Sequence, residues 1–161
     1  MAKIITVHRS KTLKLTNALL LELSKKEDFE QLENFERLID QMDVHIRQHG
    51  AQPVGPLIQK TSMKVDENGE PQMVITFVRQ ADTFIHHVDP PYKMESVIKV
   101  ADCLYTRFTG EEDDMQFAYN KLQLVGYEEE IPLSSETYTV FVDNDEENGT
   151  LTADIFVPKS V

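Results

Sequence analysis

The sequence predicts an α+β protein that arose by tandem duplication of a βαββ module. Three observations predict this class. Hydrophobic residues make up 40% of the 161-residue chain, enough for a packed core. Stretches of alternating apolar residues occur twice, and each precedes a helical pattern. Each half then contains an Asn-Gly hairpin signal. We expect one domain, 1–161, with halves at about 10–81 and 93–161 and a connector at about 82–92.

The first half is predicted to begin with a strand and an amphipathic helix. Apolar residues of one strand parity, interrupted only by the polar Asn17, are Leu13, Leu15, Leu19, Leu21 and Leu23. Ser24-Lys25-Lys26-Glu27 has the spacing of a capping box. A helix is therefore expected over about 25–49, and Gly50 is a natural residue to end it.

The second half repeats this order. Its alternating residues are Ile98, Val100, Leu104, Thr106 and Phe108. Thr109-Gly110-Glu111-Glu112 again has capping-box spacing, which predicts a shorter helix closed by Gly126. Each helix should be followed by a hairpin, with turns at Asn68-Gly69 and Asn148-Gly149. The expected strands are about 54–65 and 72–79 in the first half, and 135–143 and 150–157 in the second.

The two halves can be aligned by a constant shift in residue number. A shift of 85 residues places Ser24 on Thr109 and also places the polar exception Asn17 on Asp102. A single βαββ unit buries little core, so two units are expected to form one antiparallel sheet with two helices. The seam at their pseudo-two-fold axis is where we expect a ligand cleft.

Composition narrows the range of functions. The formal net charge is -12, which repels phosphate backbones, so no nucleic-acid partner is expected. Cys103 is the only cysteine and cannot form an internal disulfide. The chain shows neither a signal peptide nor an apolar stretch of membrane-spanning length. A cytoplasmic location without a membrane partner is therefore expected.

Several short segments of the sequence together match a known family. The second half reads Leu124-Val125-Gly126-Tyr127, then an acidic stretch with Pro132, then Glu136-Thr137-Tyr138, and ends with Asp154-Ile155-Phe156-Val157-Pro158. The first half has His49-Gly50-Ala51 followed by Val54-Gly55-Pro56. This ordered set resembles the GyrI-like small-molecule-binding domain, also called the AraC-type effector-binding domain, over roughly 10–160.

The resemblance implies a tandem pair of βαββ modules with a ligand cleft between them. No cofactor is expected. Members of the family are multidrug-sensing domains of transcription activators, stand-alone proteins that sequester toxic compounds, or hydrolases of cyclopropane-bearing compounds. This sequence contains no recognisable helix-turn-helix and would be a stand-alone member. The family's pocket glutamate lies in a Glu-x-Tyr context, which matches Glu136 and Tyr138 here.

Glu136 is therefore the principal candidate for binding a hydrophobic cation. A carboxylate neutralises such a ligand, while aromatic rings offer apolar and cation–π contacts. The candidate ring residues are Tyr138, Tyr105, Tyr119 and Tyr127. Alternatively, Glu136 is an exposed acid at the start of a strand, and each tyrosine is a core residue with a hydrogen-bonded hydroxyl.

Three functional hypotheses follow. The first is a module that binds or sequesters a hydrophobic, cationic small molecule, with no catalytic residues. The second is an interaction protein whose acidic surface binds a protein partner. The third is a hydrolase of strained electrophilic compounds, in which Glu136 and a tyrosine perform acid–base chemistry.

No metal site is predicted. His86 and His87 are adjacent on an extended segment and should point in opposite directions. His45 and His49 have the i, i+4 spacing of a helical metal pair but lack the glutamate of the zinc-protease motif, so a solvated helix end is expected. Cys103 is expected to be a small packing residue.

Overall fold

The computed structural model describes residues 5–24 and 35–160, which form an α+β structure of two compact units. The first unit is Lys14–Ile98. The second combines the described residues up to Leu13 with those from Lys99 onward. No helix within the described ranges is both long and apolar enough to cross a membrane.

The first unit is a three-stranded antiparallel sheet with one helix. Its elements are β1 (His8–Leu23), α1 (Phe35–Gln48), β2 (Pro53–Val65) and β3 (Pro71–Ala81). Strand β3 pairs with β1 on one side and with β2 on the other, giving the order β1-β3-β2. The predicted parity of β1 is confirmed, because the five leucines of that parity are buried, whereas Leu20 of the opposite parity is only partly buried.

The core of this unit lies between one sheet face and α1. Leu19, Leu21 and Leu23 of β1 pack with Phe77 of β3 and with Met42 of the helix, all among the buried residues. Because side chains alternate across a strand, the apolar side chains of β1 all face one side of the sheet. The apolar side chains of α1 pack against that side.

Helix α1 ends at Gly50, as the sequence predicts. Gly50 has φ of 82°, in the left-handed region where a Cβ is unfavourable. Its N–H donates to the Arg47 carbonyl, and the Ala51 N–H donates to the Ile46 carbonyl, which is the Schellman pattern. The capping box at 24–27 and the expected helix start lie almost wholly outside the described residues.

The second unit has the same strand order. Its elements are β4 (Lys93–Glu111), α2 (Met115–Glu128), β5 (Thr137–Asp145) and β6 (Thr150–Pro158), with a 3₁₀ turn at Glu112–Asp114 before α2. Strand β6 pairs with β4 and with β5, giving the order β4-β6-β5. Both predicted hairpin turns are confirmed, and Gly69 and Gly149 have positive φ in them.

The predicted capping box at Thr109 is wrong. Strand β4 continues to Glu111, and the Thr109 hydroxyl lies 3.2 Å from that of Thr152 across the β4–β6 pair. The helix begins at Met115, without a side-chain cap from Asp114. The Thr-x-x-Glu spacing also occurs at the end of a strand. Here Thr109 pairs with Thr152 on β6, so this segment forms a strand and not a helix start.

The prediction that Gly126 closes α2 is also wrong, because the helix continues to Glu128. The glycine instead permits a close approach. A Cβ on Gly126 would lie 2.7 Å from Leu133 Cδ1 and 3.3 Å from the Ile131 carbonyl oxygen. The Ile131 N–H returns to the Gly126 carbonyl at 2.8 Å, so the chain folds back against the helix at this point.

The polar interruptions of β1 and β4 have a backbone cause. Asn17 has φ of 49° and Asp102 has φ of 58°, both in the left-handed region. Asn and Asp tolerate this conformation better than other residues with a Cβ. The Asn17 amide also donates to the Ala81 carbonyl, and Asp102 accepts bonds from Ser10 and Lys159.

The contact at Gly126 gives a stability prediction. Gly126→Ala should lower the free energy of unfolding by about 1–3 kcal/mol, because the new methyl group overpacks against Leu133. The cost should fall by at least about 0.5 kcal/mol in a Leu133→Ala background, where the side-chain clash is gone. Chemical denaturation of the wild type, the two single variants and the double variant measures both values. Gln123→Ala, at an exposed position of the same helix, is the control. Additive effects would contradict the proposed contact.

Candidate functional site

The candidate site is built on the face of the second unit's sheet that points away from α2. The helix covers the face that carries Leu104, Phe108, Ile155 and Val157. Because side chains alternate, the intervening residues lie on the opposite face. There Tyr105 is directly opposite Phe156, and Phe156 is directly opposite Tyr138. We call these three residues the aromatic row.

The aromatic row is closely packed. The ring centroids of Tyr105 and Phe156 are 4.9 Å apart, within the usual range for interacting aromatic side chains. Phe156 and Tyr138 are buried, whereas Tyr105 is half-buried. Tyr105 and Tyr138 are separated by two strand spacings, about 9–10 Å. Only the Tyr105 end of the row is therefore partly open to solvent.

A carboxylate fixes the Tyr105 end of the row. The Tyr105 hydroxyl donates to Asp154 Oδ1 at 2.7 Å. Arg107 donates to both oxygens of the same carboxylate, at 2.7 and 2.9 Å. Burial opposes ionisation of Asp154, but the bonds from Arg107 and Tyr105 outweigh it and lower the pKa below its ordinary value. Asp154 is therefore a charged and well-anchored acid near neutral pH.

The sequence reasoning did not identify Asp154 as a site residue. A signal was present, since Asp154 is the one charged residue within the otherwise uncharged run from Thr150 to Val157. An isolated acid in a largely apolar strand usually has a specific partner. The partners, Tyr105 and Arg107, lie 49 and 47 residues away in sequence and become neighbours only through the β4–β6 register.

A lysine and a histidine from β1 flank Tyr105. The Lys11 ammonium lies 5.6 Å from the Tyr105 ring centroid, within the range of a cation–π interaction. The His8 ring centroid is also 5.6 Å from that of Tyr105. Lys11 contributes to the lowered pKa of Asp154 as well. A cation from the protein itself therefore already lies over the Tyr105 ring.

Glu136 lies directly before β5 and is half-buried. Its backbone N–H donates to the Ser134 hydroxyl at 3.2 Å.

The thiol of Cys103 has a raised pKa of about 11. Burial is the main cause, followed by the negative charges of Asp102 and Glu136. Cys103 shares strand parity with Tyr105. Cys103 is fully buried, as expected for a packing residue, and its raised pKa makes it a poor nucleophile at neutral pH.

Two of the predicted ligand-binding tyrosines lie elsewhere. The Tyr119 hydroxyl is 2.6 Å from that of Thr139, on the helix-covered side of the sheet, and burial raises the Tyr119 pKa. Tyr127 is 85% exposed near the end of α2. It borders an open surface depression of about 620 Å³ that Glu128 and Glu130 also line. Of the predicted tyrosines, therefore, only Tyr105 and Tyr138 lie together in the aromatic row.

The histidines at the end of α1 differ from the expected solvated helix end. His45 is only 7% exposed and packs against Tyr92, with ring centroids 4.6 Å apart. His86 and His87 are exposed, as expected for loop residues. The burial of His45 could not be read from helical spacing, because Tyr92 covers it from a distant part of the sequence.

The fold has known structural relatives. No protein-family model and no curated protein sequence matches the chain. Among solved structures, the C-terminal domain of EcmrR superposes with a TM-score of 0.67 at 12% identity, covering 98% of this chain and 99% of that domain. SAV2435, in a structure bound to tetraphenylphosphonium, gives a TM-score of 0.55 at 12% identity, with 98% and 94% covered.

A third relative is described as a hydrolase from Listeria innocua. It superposes with a TM-score of 0.56 at 10% identity, covering 94% of this chain and 92% of that one. At such identities the likeness concerns the fold alone. The structural relatives include GyrI-like effector-binding domains, and this chain shares their α+β fold.

Proposed function

We propose that this protein binds small hydrophobic cations on the aromatic row, with Glu136 supplying the neutralising charge. The observation that carries the proposal is the register that aligns Tyr105, Phe156 and Tyr138 across three strands. Aromatic faces attract cations, and a half-buried carboxylate of the same strand parity as Tyr138 adds charge in a partly dry environment.

The structural relatives support this class of ligand. SAV2435 shares the fold and was solved with tetraphenylphosphonium, a cation. The net charge of -12 also raises the local concentration of cations around the chain. The role that fits best is sequestration or sensing of such compounds without catalysis.

The tandem duplication is part of the proposal. Both units have the order of a strand, a helix and a hairpin, and in each the last strand lies between the other two. The matched left-handed residues Asn17 and Asp102 also support a common origin, because they fall at corresponding positions in the 85-residue shift. The cleft at the seam and the protein partner for the acidic surface stay predictions.

Glu136→Gln tests the charge. The substitution keeps the shape of the side chain but removes its charge, so affinity for tetraphenylphosphonium should fall about tenfold. Affinity for triphenylphosphine oxide, a neutral aromatic compound of related shape, should change little. Titration calorimetry with both compounds measures the difference.

Glu147→Gln is the matched control, because it removes the same charge from an exposed turn position. It should leave both affinities unchanged. Equal losses for the two ligands in Glu136→Gln, or equal effects of the two substitutions, would assign Glu136 to the ordinary surface acids.

Substitution of Lys11 should strengthen ligand binding rather than weaken it. Its ammonium lies over the Tyr105 ring, so a cationic ligand that stacks there must displace it. Lys11→Gln should therefore strengthen tetraphenylphosphonium binding several-fold, by about 1 kcal/mol. Lys14→Gln, an exposed change of the same charge on β1, is the control for net charge. Unchanged or weaker binding in Lys11→Gln would argue against stacking on Tyr105.

A hydrolase is the second candidate function, because one relative of the same fold is described as a hydrolase. In this case Glu136 would accept a proton from the attacking water, and a tyrosine hydroxyl would donate one to the leaving group. Turnover of a cyclopropane-bearing electrophile should then be lost in both Glu136→Gln and Tyr138→Phe. Product formation followed by mass spectrometry tests this, and unchanged rates in the two variants would eliminate the hydrolase.

A further inference from the structure

A cluster of three metal-ligating side chains lies where α1 ends. One ligand atom each from His45, His49 and Asp89 lies within 4.8 Å of the others. The first two residues are one helical turn apart and face the same side. Asp89 comes from the segment after β3, where the Tyr92 N–H donates to the Asp89 carbonyl in a turn at 3.0 Å. All three residues belong to the first unit.

The His49 ring is oriented as a metal ligand would be. Its Nδ1 lies 2.8 Å from the His45 carbonyl oxygen. A carbonyl only accepts, so Nδ1 carries the hydrogen and donates. In the neutral ring, Nε2 therefore keeps its lone pair. That atom lies 3.9 Å from Asp89 Oδ2. Histidines that bind metals commonly donate their other ring nitrogen to a carbonyl, which fixes the tautomer and the ring orientation.

The backbone hydrogen bonds at the end of α1 explain why the His45 carbonyl can accept a hydrogen bond from the His49 side chain. The His49 N–H donates to the Ile46 carbonyl at 3.2 Å, as the helix tightens before Gly50. The His45 carbonyl thus gains the His49 side chain as a donor in place of its backbone N–H. The same C-terminal motif that ends the helix therefore also holds the His49 ring.

His45 supplies an independent observation. Its Nε2 is buried and has no hydrogen-bond partner among the residues that the structure describes, and the residue is 7% exposed. Leaving a buried polar nitrogen unsatisfied typically costs about 1–3 kcal/mol. The His45 and His49 ring centroids are 4.3 Å apart, so the unsatisfied ring lies against the oriented one.

We propose that His45, His49 and Asp89 form a binding site for a divalent transition metal ion of the Zn²⁺ type. Two imidazoles and a carboxylate suit Zn²⁺, whereas Mg²⁺ and Ca²⁺ prefer oxygen ligands alone. Metal coordination would give the buried His45 ring the partner that it lacks.

The geometry requires only a small closure. Ligand atoms around a tetrahedral Zn²⁺ ion lie about 3.4 Å apart, which follows from bonds of about 2.0–2.1 Å. The largest separation here is 4.8 Å. The Asp89 side chain is 79% exposed and free to move inward, while the two rings stay packed. Water would complete the coordination, because Asp89 faces solvent.

An ion has a route to the site. A groove of about 390 Å³ runs beside α1 and is lined in part by His45 and Tyr92. Asp40 also lines this groove and favours cations, whereas Arg37 opposes them. Arg37 is eight residues before His45, about 12 Å along the helix axis, so its repulsion at the ligands is weak.

Metal titration of the full chain, with any affinity tag removed, tests the proposal. Titration calorimetry should show one Zn²⁺ ion bound per chain, and excess Mg²⁺ should not compete. His49→Gln should weaken binding by at least about 100-fold, and Asp89→Asn by at least about 10-fold. Co²⁺ in place of Zn²⁺ should give visible d–d absorption in the wild type that is lost in His49→Gln.

His87→Gln is the matched control, because it removes an exposed histidine from the same connecting segment. It should bind Zn²⁺ as the wild type does. Zn²⁺ should raise the melting temperature of the wild type and the control but not that of His49→Gln, whose fold circular dichroism verifies without metal. Absence of Zn²⁺ binding, unchanged affinity in His49→Gln, or an equal loss in His87→Gln would each overturn the proposal.

Discussion

The candidate site depends on one constraint, the register of β6 between β4 and β5. Strand β6 pairs on both sides, so its alternation determines what meets on each face of the sheet. With this register Phe156 lies between Tyr105 and Tyr138, and Asp154 lies opposite Arg107. A slip of β6 by one residue would move Phe156 and Asp154 to the helix-covered face, away from their partners on β4 and β5. The apolar face formed by Ile155 and Val157 opposes such a slip, because it must remain buried against α2.

Strand positions and turns could be predicted from the sequence because they depend on local chemistry. Alternating leucines identified β1, and the Asn-Gly pairs identified both hairpins. The start and end of α2 could not be predicted, because neither signal was local. Thr109 has its partner on β6, and Gly126 is a glycine because Leu133 approaches the helix there. At Thr109 a residue with a cross-strand partner matches the pattern of a helix start, and at Gly126 a residue required for close packing matches that of a helix end.

The chemistry of the sites was predicted less completely than the fold. Tyr105 and Tyr138 lie in one row because both pair with Phe156, whereas a place for Glu136 beside that row stays a prediction. Asp154 and His45 required knowledge of their partners. A charged residue within an apolar strand and a histidine on the apolar side of a helix are visible in a sequence, but the sequence does not say what satisfies them. In this fold Arg107 and Tyr105 satisfy Asp154, whereas no residue within the described ranges satisfies His45 Nε2.

The two proposed sites would bind different kinds of cation, and they would do so through different chemical groups. A net charge of -12 attracts any cation and selects none. A lipophilic cation has no empty orbital to accept a lone pair, so aromatic faces and a nearby carboxylate are the groups that hold it. A transition metal ion gains little from aromatic faces but binds neutral imidazole nitrogens strongly. The aromatic row and the His45–His49–Asp89 cluster share no residue, so a substitution in one leaves the ligand groups of the other intact. If both sites bind as proposed, selectivity resides in the local donor set rather than in the overall charge.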